Sequence, residues 1–157
     1  MKTQKLSLIC ATLLLSISLK ADVERTLALI KPDAVKAKNS GAIINMIERN
    51  GFEILRMTKM LLNQEKAAEF YDVHKERPFF EELVNYISSG AVIAMVLEKE
   101  NAIKAWRDMM GATDSKQAAP GTIRNLFGTD RTFNATHGSD APETAQQEIK
   151  YLFPDLQ

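Results

Sequence analysis

The run Ala91-Val92-Ile93-Ala94-Met95-Val96-Leu97 carries no polar side chain, and it constrains the fold more than any other segment beyond the N-terminus. A strand with one wet face alternates apolar and polar residues, so a strand that is apolar at every position must be covered on both faces. The chain therefore builds around a central strand with other layers packed on each side of it.

The segments around that strand carry their own signals. Arg25 to Ile30 is a shorter apolar and β-branched run ending at Lys31-Pro32, which reads as a strand delivering a lysine at its end. Asn39 or Ser40 can cap a helix with Ile43, Ile44 and Ile47 on its apolar face, stopped at Asn50-Gly51. Phe52 to Leu62 reads as a strand, and Asn63 caps a helix carrying Ala67, Phe70 and Tyr71. Pro78 breaks that stretch. Phe79 to Ile87 is predicted as a helix with Phe80, Leu83, Val84 and Ile87 inward, and Asn101 to Met110 as another with Ile103, Trp106 and Met110 inward. A long irregular section from Ala112 to Phe133 precedes a short strand, and loops of that length are usually functional. A last helix runs from about Pro142 to Phe153, with proline in its first turn and Pro154 after it. This order suits an α+β sandwich.

A chain of 157 residues, 45% hydrophobic and 25% charged, suits one folded domain. Twenty basic residues balance twenty acidic ones, so no net field recruits nucleic acid or an anionic membrane, and any affinity for phosphate must come from a local cluster. The single cysteine, Cys10, lies in the N-terminal segment, so the remainder can hold neither a disulfide nor a cysteine metal site. Residues 1–21 differ from the rest: Lys2 and Lys5, an apolar stretch from Leu6 to Leu19, then Ala21 before Asp22. They read as a signal-peptide-like or disordered leader, too short for a comfortable membrane span, ahead of a domain at 22–157.

The run Asn134-Ala135-Thr136-His137-Gly138-Ser139-Asp140 sets a histidine among small residues that cannot shield it. Neutral imidazole can attack phosphorus when a second group fixes its tautomer, and Ser139 and Asp140 are polar neighbours. His74 is the only other histidine. The chain has no GxxxxGK[ST] loop, DFG or HRD, which leaves His137 as the candidate phosphate acceptor. A turn residue with satisfied hydrogen bonds fits the same pattern.

The string NATHGSD resembles the active-site signature of the nucleoside diphosphate kinases. Leu29 to Val35 (LIKPDAV), His74 to Phe80 (HKERPFF) and Pro120 to Arg124 (PGTIR) resemble further blocks of that family, in the family's order, from about Glu24 to Phe153. The resemblance implies a ferredoxin-like βαββαβ sandwich with an antiparallel sheet. It implies transfer of the γ-phosphate of ATP to nucleoside diphosphates by a ping-pong route through a phosphohistidine at His137. By position it makes Lys31, Arg107 and Arg124 phosphate-contacting cations, Thr113 a hydroxyl donor, Asn134 a contact to the sugar and phosphate, and Phe79 the platform for the base. Tyr71 and Ser139 would support the site, with Glu148 accepting the imidazole's other N–H. Mg²⁺ would arrive bound mainly through the nucleotide's phosphates, with no metal ligand from the protein. A homo-oligomer is implied, with no nucleic-acid partner and no membrane contact of the folded domain. A cytoplasmic location is implied too, although the leader also fits an exported or periplasmic protein. Ser115 stands where the family commonly has proline, so the 112–133 loop loses a fixed φ and is expected to be looser. Asn125-Leu126 replaces a usual small residue and aspartate, which bears on loop packing and oligomer stability. A non-catalytic nucleotide-sensing module would share the fold, whereas an RNA-binding module would need a basic, aromatic-rich stretch that this chain lacks.

Overall fold

The computed structural model describes residues 23–156; the leader assigned to residues 1–21 lies outside them. The described residues form a sheet of four antiparallel strands, β1 (Val23–Ile30), β2 (Glu53–Leu61), β3 (Ala91–Glu100) and β4 (Thr136–Gly138), in the order β2-β3-β1-β4. The apolar run forms the first seven residues of β3, an inner strand, where Val92 and Ala94 to Leu97 are buried and Ala91 and Ile93 are half-buried. Alternate residues of the inner strands feed two separate cores. Leu27, Leu29, Val92, Ala94 and Val96 pack with Phe70, Tyr71, Val84, Ile87 and Phe153. Ala28, Ile30, Met95 and Leu97 pack on the opposite face with Ile43, Ile47, Trp106, Met110 and Ile123.

The helices are α1 (Pro32–Lys36), α2 (Ser40–Arg49), α3 (Gln64–Phe70), α4 (Phe80–Ser88), α5 (Ala102–Met110), α6 (Ile123–Phe127) and α7 (Pro142–Leu152). Reduced to β1-α2-β2-β3-α5-β4, the chain is a βαββαβ unit whose two helices share one face, which is the ferredoxin-like core. Helices α3 and α4, inserted between β2 and β3, and α7, after β4, cover the other face. No helix among the described residues is long and apolar enough to cross a membrane.

Local chemistry accounts for most boundaries. The Asn63 side chain accepts the Lys66 N–H at 2.9 Å and caps α3. Gly51, at φ 76°, ends α2 in the left-handed conformation that glycine adopts without steric cost. Asn39 occupies the cap position of α2, but its side chain makes no capping bond among the described residues. Helix α1 begins at Pro32, where the missing N–H of a first-turn proline costs nothing. The 112–133 section is less irregular than its sequence implies, since it holds a 3₁₀ turn at Ser115–Gln117 and α6.

Candidate active site

Register places the histidine. β4 pairs with β1 so that His137 lies opposite Leu29 and Gly138 opposite Ala28. His137 therefore shares the face of Leu29, and its ring meets the edges of Phe70 at 5.4 Å and Tyr71 at 5.6 Å. Gly138 turns to the other face and lies against Trp106, whose indole N–H donates to the His137 carbonyl at 3.1 Å. One edge of the imidazole is left accessible, with 19% of the side chain exposed.

The inner edge is tied down by a relay. His137 Nε2 lies 2.9 Å from Glu148 Oε1 on α7. Ser139 Oγ donates to Glu148 Oε2 at 2.7 Å and accepts the Leu27 N–H at 3.2 Å. An ionised carboxylate can only accept, so Nε2 carries the proton and Nδ1 keeps its lone pair. That tautomer leaves Nδ1 able to act as a nucleophile.

Cations cluster beside it. Lys31, 6% exposed at the end of β1, donates from Nζ to Asn134 Oδ1 at 2.7 Å. Asn134 is oriented in turn, because its Nδ2 donates to the carbonyls of Thr113 and Arg131, both at 2.9 Å. Burial, with repulsion from Arg124 and opposed by attraction from Asp33, lowers the Lys31 ammonium to about 8. Arg124 of α6 donates to the Gly111 carbonyl at 2.9 Å and the Thr136 carbonyl at 3.2 Å, and burial, then Arg107, lowers it to about 10. Its buried Nε has no partner among the described residues. Buried cations that repel one another are stabilised by a bound anion, so the cluster can hold phosphate.

The other site residues are distributed around this centre. Tyr71 is buried against His137, and its hydroxyl has no partner among the described residues; burial, then Glu148, pushes its pKa up. Phe79 is not the first residue of a helix but precedes α4, and it is 48% exposed. It connects inward through His74, 5.8 Å away, which stacks on Tyr71. Arg107 and the Thr113 residue are exposed, Arg107 on the outward side of α5. Asp140 is exposed beyond the relay, in which Ser139 alone of the two takes part.

Asp33, Tyr86 and Trp106 belong to this region, and sequence reasoning gives none of them a place in the site, reading Trp106 only as part of the inward face of its helix. Asp33 accepts the Tyr86 hydroxyl at 2.6 Å and the Ala135 N–H at 3.0 Å, and Trp106 supports the His137 backbone. The position of Asp33 two residues after Lys31 is the one available signal. Ser115, expected to loosen its loop, is buried and donates from Oγ to the Asp130 carbonyl at 3.0 Å, a bond proline could not make. Asn125 donates to the Ala118 carbonyl at 3.2 Å, while Leu126 faces solvent.

The fold and the histidine cluster define an α+β enzyme domain of the ferredoxin-like type. Residues 24–157 match the sequence model of the nucleoside diphosphate kinases. The chain is similar to the nucleoside diphosphate kinase of Pelobacter propionicus, 53% identical over 135 residues, covering 86% of this chain and 98% of that one. It is 54% identical to that of Nitratiruptor sp. over 131 residues, 83% of this chain and 96% of the relative. Among solved structures it superposes on the Aquifex aeolicus nucleoside diphosphate kinase with a TM-score of 0.83 at 50% identity, covering 84% of this chain and 96% of that one. The halophilic enzyme from Halobacterium salinarum in complex with CDP gives a TM-score of 0.81 at 40% identity, covering 84% and 88%. The chain belongs to the nucleoside diphosphate kinase family, and it is an enzyme, a nucleotide-binding phosphotransferase.

Proposed function

We propose that this enzyme moves the γ-phosphate of ATP to other nucleoside diphosphates in two half-reactions through a phosphohistidine at Nδ1 of His137. The observation that carries the reading is the 2.9 Å contact between Nε2 and Glu148, which commits the lone pair to Nδ1. In the first half-reaction Nδ1 attacks the γ-phosphorus, the bond to the β,γ-bridging oxygen breaks, and the nucleoside diphosphate leaves with that electron pair. The imidazole ring becomes cationic as the N–P bond forms, and the Glu148 carboxylate stabilises that charge. In the second, a terminal oxygen of an incoming nucleoside diphosphate attacks the same phosphorus and returns the electron pair to Nδ1.

Lys31, Arg107 and Arg124 offset the charge of the phosphates, and the Tyr71 and Thr113 hydroxyls supply further donors. Both Asn134 amide N–H groups are committed to the Thr113 and Arg131 carbonyls, so Asn134 acts by holding Lys31 Nζ on its Oδ1. Phe79 offers an exposed ring on which any base can stack, which favours broad nucleotide use. Among the described residues no group of histidine and acidic side chains converges to hold a metal ion. Glu148 and Asp33 are both engaged in hydrogen bonds, so Mg²⁺ fits as a passenger on the nucleotide, where it neutralises phosphate oxygens. The edge strand β2 exposes Met57 and Leu61, a surface suited to a second copy in a homo-oligomer. The reaction calls for a supply of nucleoside triphosphate, which is the ground for proposing a cytoplasmic location. Neither nucleic acid nor a membrane enters this reading.

The test is covalent labelling. Incubation with γ-labelled ATP and Mg²⁺ is expected to give an acid-labile, base-stable phosphoprotein, and His137→Ala to abolish it. Full labelling of that variant would remove the reading.

A further inference from the structure

We propose that Asp33 is a positioning residue for the transfer site, its single carboxylate clamping the backbone between Asn134 and His137 to helix α4 while its negative charge supports the buried ammonium of Lys31. The proposal rests on His137 being the phosphate carrier. Asp33 Oδ2 accepts the N–H of Ala135 at 3.0 Å and Oδ1 accepts the hydroxyl of Tyr86 at 2.6 Å. Ala135 is fully buried at φ 65°, a conformation that a non-glycine residue keeps only where its surroundings impose it.

The surroundings that impose it come from one short segment. The Ala135 carbonyl accepts the Lys31 N–H at 2.8 Å, so Lys31 and Asp33 hold both polar groups of the strained residue. Each neighbour of Ala135 carries a site contact. Asn134 before it receives Lys31 Nζ, and Thr136 after it receives Arg124 through its carbonyl. A turn of the backbone at residue 135 would move both contacts, and His137 with them.

The second end of the clamp fixes a ring. Tyr86 lies beneath the ammonium, with Lys31 Nζ 5.7 Å from the ring centroid, and meets Phe133 edge-on at 4.8 Å. The charged and titratable groups facing Lys31 are thus Arg124 from α6, Asp33 from α1 and Tyr86 from α4. Burial and, next to it, Asp33 keep the Tyr86 hydroxyl protonated. Asp33 is the acid in this set, and its field opposes the burial and the Arg124 repulsion that draw the ammonium down.

Two substitutions in the full chain separate position from charge. Asp33→Asn keeps the shape, with the amide oxygen accepting from Ala135 and the amide N–H donating to the Tyr86 oxygen, but it removes the negative charge. The alkaline limb of its kcat/KM profile is expected at lower pH than in the wild type, because Lys31 deprotonates more easily. Asp33→Ala loses both bonds and is expected to lower kcat/KM more than tenfold at every pH, with the rate of His137 phosphorylation by ATP falling in parallel. An unmoved alkaline limb in Asp33→Asn overturns the proposal, as does wild-type kcat/KM in folded Asp33→Ala. Should Asp33→Ala not fold, the pH profile of Asp33→Asn decides alone. A wild-type enzyme that forms no phosphohistidine removes the underlying reading instead, so the two failures are distinguishable.

Discussion

Glu148 of α7 reaches across to His137 of β4 with one carboxylate oxygen, 2.9 Å from Nε2, while its other oxygen is held by Ser139 at 2.7 Å. The imidazole is oriented before any substrate arrives. Glu148→Gln keeps an acceptor at the same place but loses the charge that would stabilise the imidazolium. Carboxylates that orient metal-ligating histidines in the same way are worth about 10- to 100-fold, and kcat is expected to drop by a comparable factor with little change in KM. Steady-state rates equal to the wild type would rule out this role.

Arg107 and Arg124 differ in setting. Replacing either by alanine is expected to lower kcat/KM more than tenfold, about 1.4 kcal/mol or more of transition-state stabilisation, for every nucleotide alike, because neither reads the base. Thermal stability should separate them. Arg124 is buried on the carbonyls of Gly111 and Thr136, so its removal strands both acceptors and lowers Tm, whereas exposed Arg107 can go without that loss. Wild-type kinetics in both variants would dissolve the cationic cluster.

Lys31 gives the pH dependence. Its folded value is about 8 against an ordinary 10.5, chiefly through burial. The ratio kcat/KM reports the free enzyme and is expected to fall as pH rises through about 8, as Lys31 loses its proton. Bound phosphates favour the ammonium, so kcat should hold to higher pH. Stability moves the other way. Between about 8 and 10.5 the unfolded lysine binds more protons than the folded one, so the cost of burying the charge is relieved as pH rises. Denaturant midpoints across that range should rise in the wild type relative to Lys31→Met, and parallel curves would contradict the depressed value.

The parts of this molecule legible from sequence are those set by one-dimensional burial. Strand β3 shows itself because both its faces are covered, and α5 because Ile103, Trp106 and Met110 repeat at helical spacing. The stretch around His137 stands out in the sequence by its small neighbours, but Phe70 and Tyr71, distant in the chain, cover most of the ring and leave 19% of the side chain exposed. The clamp at Asp33 is not legible, since its partners Tyr86 and Ala135 lie 53 and 102 residues away and nothing local requires either. Helix α1 hides because Lys31-Pro32 marks the end of a strand as well as the start of a helix. Helix α6, at five residues, is too short to show a period. Ser115 misleads for a related reason: losing proline frees φ, but the hydroxyl gained at that place closes a bond to Asp130 that only the folded loop reveals.

Gly138 and Trp106 provide a test of how closely the site is packed. A Cβ at position 138 would stand 2.3 Å from Trp106 Cδ1 and Nε1 and 2.9 Å from Met110 Cε, far inside contact distance. The indole cannot easily withdraw, since it is fully buried, meets Phe52 edge-on at 6.4 Å and is bonded to the His137 carbonyl. Gly138→Ala is therefore expected to destabilise the fold by about 1–3 kcal/mol, as overpacking does, and to lower kcat by displacing the His137 backbone. Trp106 is the only tryptophan in the chain, so its emission should report the displacement directly. Trp106→Phe removes the N–H bond but also the obstructing Nε1, leaving a smaller ring. If the close approach is the cause, the double variant should be less destabilised than the sum of the two single ones. Strict additivity, with unchanged emission in Gly138→Ala, would show that the strand accommodates the methyl group and that Trp106 does not set the position of His137.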